Sequence, residues 1–376
     1  MSRLVRTCLA GAVGVVALSG ALVLRAPAAT APIERRGGAP VHLSDTGLYS
    51  DFARGIVAPG VLPYVPQYPL WTDGATKRRW ISLPPGTSID ASDPDAWVFP
   101  VGTKIWKEFS FGRKVETRTM ERAADGSWIY ATYAWSEDGQ EALLAPDRGI
   151  HGACESRPGI GHDIPSTSDC RACHQGRTTE VLGFDALQLS SDRDPLAPHA
   201  ELPPEDAVDL PALVERGLVR GLPQGVLAEA PRIVARTPRE RAVLGYLHGN
   251  CGSCHNSRGP LANLGLELDY RIAADPGSPA RAIATAVGIE SRFRLDPDAS
   301  HSRISPGSPD SSVLYRRIAS RNKFVQMPAL GTHALDEQAV ALVEDWIRED
   351  LVLPTSASTP HPSVNVSHSN RKDSSR

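Results

Sequence analysis

Apolar and aromatic residues interleave with polar ones in three short stretches of the N-terminal half that turn residues bound: KIWKEFSF (Lys104 to Phe111), VETRTMER (Val115 to Arg122) and SWIYATYAW (Ser127 to Trp135). Short runs of this texture between turn signals read as strands. Two shorter runs, Arg79 to Leu83 and Ala96 to Phe99, read the same way. Turns are supplied by Pro84-Pro85-Gly86, Asp125-Gly126 and Asp138-Gly139. The pattern therefore predicts an antiparallel sheet between about Leu70 and Leu144, after a Pro-rich stretch from Ala58 to Pro69. Five of the seven tryptophans fall between Trp71 and Trp128, with Trp135 close behind, and they are read as its core.

Further on the pattern changes. Residues Pro146 to Ser168 read as irregular, and Asp192 to Pro231 as a linker with one short helix near Leu210 to Arg216, stopped by Gly217 or Gly221. Thr237-Pro238-Arg239-Glu240 has the form of a capping box with proline at the first helical position, which predicts a helix over Pro238 to Asn250. Another follows Ser308-Pro309, carrying Val313, Leu314 and Ile318. Val340, Val343, Ile347 and Leu351 recur at helical spacing between Asp336 and Leu351, with Trp346 beside them. Beyond Pro354 no apolar period remains, so that stretch is read as a disordered tail.

Composition narrows the class. A chain of 376 residues suggests two domains, and 32 glycines with 32 prolines suggest short elements joined by many loops. A formal net charge of −3 excludes nucleic-acid binding driven by bulk charge and gives no pull towards anionic membranes. Arg3 and Arg6 precede an apolar run from Cys8 to Leu24, which small residues and Pro27 follow. This is the pattern of a secretory signal peptide cleaved between Ala26 and Ala31, with export to the periplasm; an uncleaved anchor is the alternative. Five cysteines then remain, an awkward number for disulfides alone: Cys154, Cys170, Cys173, Cys251 and Cys254.

Four of them fall in SDCRACHQGR and NCGSCHNSRG, each spelling C-x-x-C-H. Two thioether bonds from such a pair hold a haem c, and the adjoining histidine reaches its iron. Redox dithiols or a structural zinc site are the alternatives. Zinc-binding pairs normally lie within about 20 residues of each other, whereas these lie far apart, and neither alternative needs a histidine after each pair. The expected cofactors are two covalently bound haem c groups on Cys170, Cys173 and His174, and on Cys251, Cys254 and His255. Cys154 is left over, and whether it is buried, free or paired between chains stays open.

From Thr237 to Asp350 the chain resembles a class I cytochrome c domain: a helix into C-x-x-C-H, a long loop, the pair Met327-Pro328 in KFVQMPALG, and a last helix with an aromatic residue. The resemblance implies Met327 as sixth iron ligand of the second haem, with His301 and His333 as rivals. No Met-Pro pair follows His174 before that region. Met120, His151, His162, His199 and His248 are the candidates there, or the position is open.

Taken from about residue 48 to 350, the chain resembles an uncharacterised family of secreted bacterial dihaem c-type cytochromes, through PLWTDGATKRRWISLP, WVFPVGTKIWKEF, DIPSTSDCRACHQG, LGFDALQLS and YLHGNCGSCHN. The series FPVGTKIWKEF, DGSWIYATYAW and CRACH is similar to the cytochrome P460 and beta-type cytochrome c-prime group. This implies a small antiparallel sheet before the haem attachment and a five-coordinate haem whose distal pocket is walled by the sheet. Lys104 and Lys107 lie in the matching strand, but neither aligns with the lysine that P460 proteins bond to the haem edge, so that crosslink is not carried over.

The expectation is an α+β protein of two domains, an antiparallel-β haem domain followed by an all-α class I cytochrome c domain. The boundaries are a signal peptide over 1–31, a β-rich haem domain over 48–190, a linker over 191–236, the cytochrome c domain over 237–353 and a tail over 354–376. The expected function is periplasmic electron transfer to a redox protein or small-molecule donor or acceptor, without a stable membrane span after cleavage. An oxidase or peroxidase working at an open first haem is the other reading, with Glu108, Glu121 and Asp163 as candidate acids or bases. A secreted gas-binding sensor is a third.

Overall fold

In the computed structural model, which describes residues 33–273, 280–296 and 300–352, the three expected strands become the centre of a six-stranded sheet. Its strands are β1 (Leu62–Pro63), β2 (Thr76–Ser82), β3 (Lys104–Phe111), β4 (Arg113–Arg122), β5 (Trp128–Trp135) and β6 (Ala142–Leu144). They lie in the order β6-β5-β4-β3-β2-β1, every neighbouring pair antiparallel. Alternation gives the sheet two different faces. Trp80, Trp106, Tyr133 and Trp135 pack on one side against Leu43 and Leu48. Ile81, Ile105, Met120 and Tyr130 pack on the other against Phe184, Leu189 and Leu213. The expected signal segment and tail lie outside the described residues.

Ala96 to Phe99 does not form the expected strand. Val98 only bridges Asp90, through hydrogen bonds of 2.8 and 2.9 Å. Pro94 and Pro100 flank the run and have no N–H with which to extend a ladder. Conversely, the segment read as irregular holds a hairpin, β7 (Ile150–Arg157) with β8 (Ile160–Ile164), turned by Pro158-Gly159.

Five helices carry the rest of the argument: α1 (Thr167–His174), α2 (Leu210–Glu215), α3 (Pro238–Asn250), α4 (Val313–Ile318) and α5 (Glu337–Arg348). Thr237 caps α3 through its hydroxyl, which accepts the Glu240 N–H at 3.0 Å. The Glu240 carboxylate accepts the Arg236 N–H and the Trp346 indole N–H, at 2.9 and 3.1 Å, and so ties α3 to α5. Asp336 caps α5 by accepting the Ala339 N–H at 3.1 Å.

The expected two-domain α+β arrangement, with an all-α cytochrome c domain second, is overturned. The described residues from Glu34 onward form one compact unit, dominated by the six-stranded sheet and carrying only short helices. Between α3 and α5 the described backbone is mostly loop, joined by isolated bridges such as Val287 to Ile304 and Glu290 to Ser302. The apolar cluster around α3 and α5 is completed by Tyr68, Leu187 and Ala197 from segments that precede α3. Tyr68 lies so close to α3 that a Cβ on Gly245 would come within 2.0 Å of its ring.

The stretch expected as a linker is also built in. Val208 and Leu210 donate their N–H groups to Pro63 and Leu189, both at 2.8 Å. Val219–Arg220 pairs in parallel with Ile89–Asp90. Among the described residues no helix is long and apolar enough to cross a membrane.

Candidate functional site

The first C-x-x-C-H lies on α1, which a reciprocal capping box starts: Ser166 Oγ accepts the Asp169 N–H at 3.1 Å, and the Asp169 carboxylate accepts the Ser166 N–H at 3.0 Å. The helix packs on β5 and leaves Cys170, Cys173 and His174 half-buried. His174 Nδ1 lies 2.6 Å from the Glu180 carbonyl oxygen. A carbonyl can only accept, so Nδ1 carries the proton and Nε2 presents a lone pair. Burial, against the Glu180 hydrogen bond, pushes the imidazole down to about 4 and keeps the ring neutral. The Tyr130 hydroxyl bonds the carboxylate of the same Glu180, and its ring lies 5.4 Å from that of His174. One glutamate thus fixes the imidazole with its backbone while a sheet residue fixes the glutamate, the outer support that a metal-binding histidine requires.

The second motif ends α3. Cys251 donates its N–H to Leu247 at 2.8 Å, and His255 closes a further turn onto Cys251 at 2.9 Å. His255 is buried, and its Nδ1 has no hydrogen-bond partner among the described residues. Burial, helped by Arg317 and Arg303, pushes this imidazole down to about 4 as well.

All four cysteines of the motifs are free thiols. Burial raises Cys173 to about 11 and Cys251 to about 12, the opposite of the lowered values that reactive dithiols and thiolate metal ligands need. Among the described residues no three His, Cys, Asp or Glu side chains converge as a cation site. The residues therefore fit haem c attachment better than either alternative. Free cysteine pairs each adjoin a neutral histidine, one with its tautomer set and one with a buried nitrogen lacking a partner.

The two motifs touch. A Cβ on Gly176, two residues beyond His174, would come within 2.2 Å of the Ser253 carbonyl oxygen in the middle of the second motif. Asn256, directly after His255, donates its amide to the carbonyls of Gly176 at 2.9 Å, Gly252 at 2.9 Å and Ser253 at 3.2 Å. Arg258 adds a bond to the Thr178 hydroxyl at 2.6 Å. Beside this junction opens a cleft of about 260 Å³ lined by Arg177, Arg258, Arg271, Asp93 and Asp95.

Met327 is half-buried at the margin of the apolar cluster against which Cys251 packs. Its N–H donates to the Arg317 carbonyl at 3.0 Å, and the guanidinium of Arg317 acts on His255. Its rivals differ from each other. His301 has a buried Nε2 without partner among the described residues, whereas His333 is exposed and bonds Asp163 at 3.0 Å.

Most candidates for the first haem are otherwise engaged. His162 is buried with Nδ1 on Asp73 at 3.2 Å and Nε2 on Glu116 at 3.0 Å. Burial opposes its charge, but the bonds to these two carboxylates raise it and hold an imidazolium. His199 bonds Asp336 at 2.7 Å, and the exposed His151 bonds Asp163 at 3.2 Å. His248 Nδ1 accepts the Tyr270 N–H at 3.0 Å, so in the neutral ring the proton sits on Nε2 and no lone pair is left. Met120 packs in the cluster that Cys170 adjoins.

Glu108, Glu121 and Lys104 point to the sheet face opposite Lys107, Arg118 and Met120, away from the first motif, because strand alternation separates them. Asp163 lies outside the sheet, between His151 and His333. The contact of the motifs and the double use of Glu180 left no trace in the sequence reading.

No family model matches the chain, and neither a curated protein nor a solved structure does. The functional reading accordingly rests on the site itself.

Proposed function

We propose that this protein is an exported c-type cytochrome that carries two covalent haems and relays electrons between them and a redox partner in the periplasm. The observation that carries the reading is the packing of one C-x-x-C-H segment on the other through Gly176, Ser253 and Asn256. Two electron carriers are useful to each other only at short range, and this junction supplies it. When bound, each haem supplies one-electron redox chemistry. The chain's own residues would do the rest: Cys170 and Cys173 would fasten one group and Cys251 and Cys254 the other, while His174 and His255 would offer neutral imidazoles to the iron. Met327, whose N–H bonds the Arg317 carbonyl, would supply the further ligand of the second site.

The test is a pyridine haemochrome assay on protein exported by cells with a c-type maturation system. The expected result is two haems per chain, with one lost in Cys170→Ala/Cys173→Ala and the other in Cys251→Ala/Cys254→Ala. Haem-free protein from such cells would sink the proposal.

A second reading has its own support: the engagement of His162, His199 and His248 removes most of the ligands that could close the first site. An open first haem would serve an oxidase or peroxidase, with the second as relay. Binding of carbon monoxide by the ferrous protein favours this reading, and a coordinatively saturated first haem excludes it.

A further inference from the structure

Strand register sets three cations abreast on the sheet face that the first motif covers. Arg79 on β2 stands opposite Lys107 on β3, and Lys107 stands opposite Arg118 on β4. Lys77, two residues before Arg79, adds a fourth on the same face. Like charges directly opposite each other destabilise a sheet, so this row needs compensation.

Compensation is incomplete. Arg79 makes two hydrogen bonds to Glu201, at 2.7 and 3.3 Å, and Arg118 makes two to Glu116, at 3.0 and 2.6 Å. Glu116 is shared with His162 as well. The Lys107 ammonium meets the Phe109 ring at 4.9 Å and no carboxylate among the described residues. Lys77 donates to the Ala75 carbonyl at 3.1 Å. Burial, followed by the neighbouring cations, pushes Lys107 far down and Lys77 to about 8, against an opposing pull from Glu201 on both.

We propose that Lys77 and Lys107, framed by Arg79 and Arg118, form a binding site for a small oxyanion or carboxylate beside the first C-x-x-C-H. Its place follows from the packing: Ile105 and Met120, on the same sheet face as Lys107 and Arg118, belong to the apolar cluster against which Cys170 packs. A compact ammonium pair suits a small hydrated anion, and the two chelated guanidiniums hold the rim in position. Two sources carry the same chemistry: a free anion from solution, or a propionate side chain of the first haem. Only the second rests on the haem reading above.

The test uses the exported full-length protein, its haem content counted by pyridine haemochrome on the same sample. Acetate, nitrite and inorganic phosphate are titrated by calorimetry at low ionic strength, where screening is weak. A free-anion site predicts binding of at least one probe, weakened tenfold or more in Lys107→Gln and Lys77→Gln. Lys104→Gln, on the opposite face of β3 with its ammonium on the Thr46 carbonyl, leaves the affinity unchanged. A propionate in the site predicts no probe binding, but a shifted midpoint potential of the first haem in Lys107→Gln and not in Lys104→Gln. Where no anion occupies the site, losing the Lys107 charge relieves repulsion, so the melting temperature of Lys107→Gln then stays at or above that of the parent. Neither binding nor a shift, or equal effects from Lys104→Gln, overturns the proposal; a count of no haem overturns only the propionate source.

Discussion

Gly176 lies against Ser253 with no room for a methyl group: a Cβ there would come within 2.2 Å of the Ser253 carbonyl oxygen. Backbone meets backbone at this point, so neither side can yield by turning a side chain.

Gly176→Ala is therefore expected to destabilise the protein by about 1–3 kcal/mol, the usual cost of overpacking. Asn256→Ala, which removes donors to three carbonyls, costs about as much, because buried acceptors are left unpaired. Urea unfolding of the two variants checks this. Equal stability of Gly176→Ala and parent would mean that the motifs do not touch.

His162 gives the stability a definite pH profile. Its folded pKa is raised, so its contribution is complete below the unfolded value of about 6.5 and is lost as the pH climbs through the folded one. Burial opposes the charges of Asp73 and Glu116, but hydrogen bonds and nearby cations hold both below their ordinary range. Their contribution holds above about pH 4.5 and fades as the pH falls. His162→Gln cannot serve both carboxylates and is expected to cost about 3–5 kcal/mol near pH 6, with a smaller difference from the parent at pH 9. A difference that does not change between these pH values would contradict the assignment.

The two internal methionines separate cleanly. Met327→Ala is expected to abolish the thioether-to-iron absorption band of the ferric protein, and Met120→Leu to leave it intact. Near-infrared spectra decide between them, and loss of the band in Met120→Leu would move the ligand to the sheet.

Tyr68 and Gly245 should behave as a coupled pair. A Cβ at position 245 would lie 2.0 Å from Tyr68 Cε1, so Gly245→Ala is expected to cost about 1–3 kcal/mol. Gly245→Ala/Tyr68→Leu should then lose less than the sum of the two single changes. Strict additivity in thermal unfolding would show that ring and helix are independent.

The legible parts of the fold were those with a local cause. Lys104–Phe111 and Trp128–Trp135 are short aromatic-rich runs near turn residues, and Thr237 with Pro238 marks the start of α3 within the sequence itself. The β7–β8 hairpin escaped notice because Gly152, Glu155, Gly159 and Gly161 interrupt its apolar pattern, and much of β7 faces solvent. The separate helical domain was expected because α3 and α5 have strong local signals. What joins them to the rest, Tyr68 with Leu187 and Ala197, carries none.

The candidate site divides in the same way. Both C-x-x-C-H motifs announce themselves, whereas the partners of His162 lie 46 and 89 residues away and become neighbours only by folding. The row Arg79, Lys107, Arg118 depends on strand register, which no window of sequence reveals.

The seat of Tyr68 against α3 also sets a timetable. A chain that emerges N-terminus first completes its sheet and its first cysteine pair well before Gly245 and Gly249 exist. Until then the Tyr68 ring has nowhere to go and the junction at Gly176 has no second wall. For that interval the first cysteine pair stands on an unclosed chain, open on the side where Ser253 and Asn256 later pack.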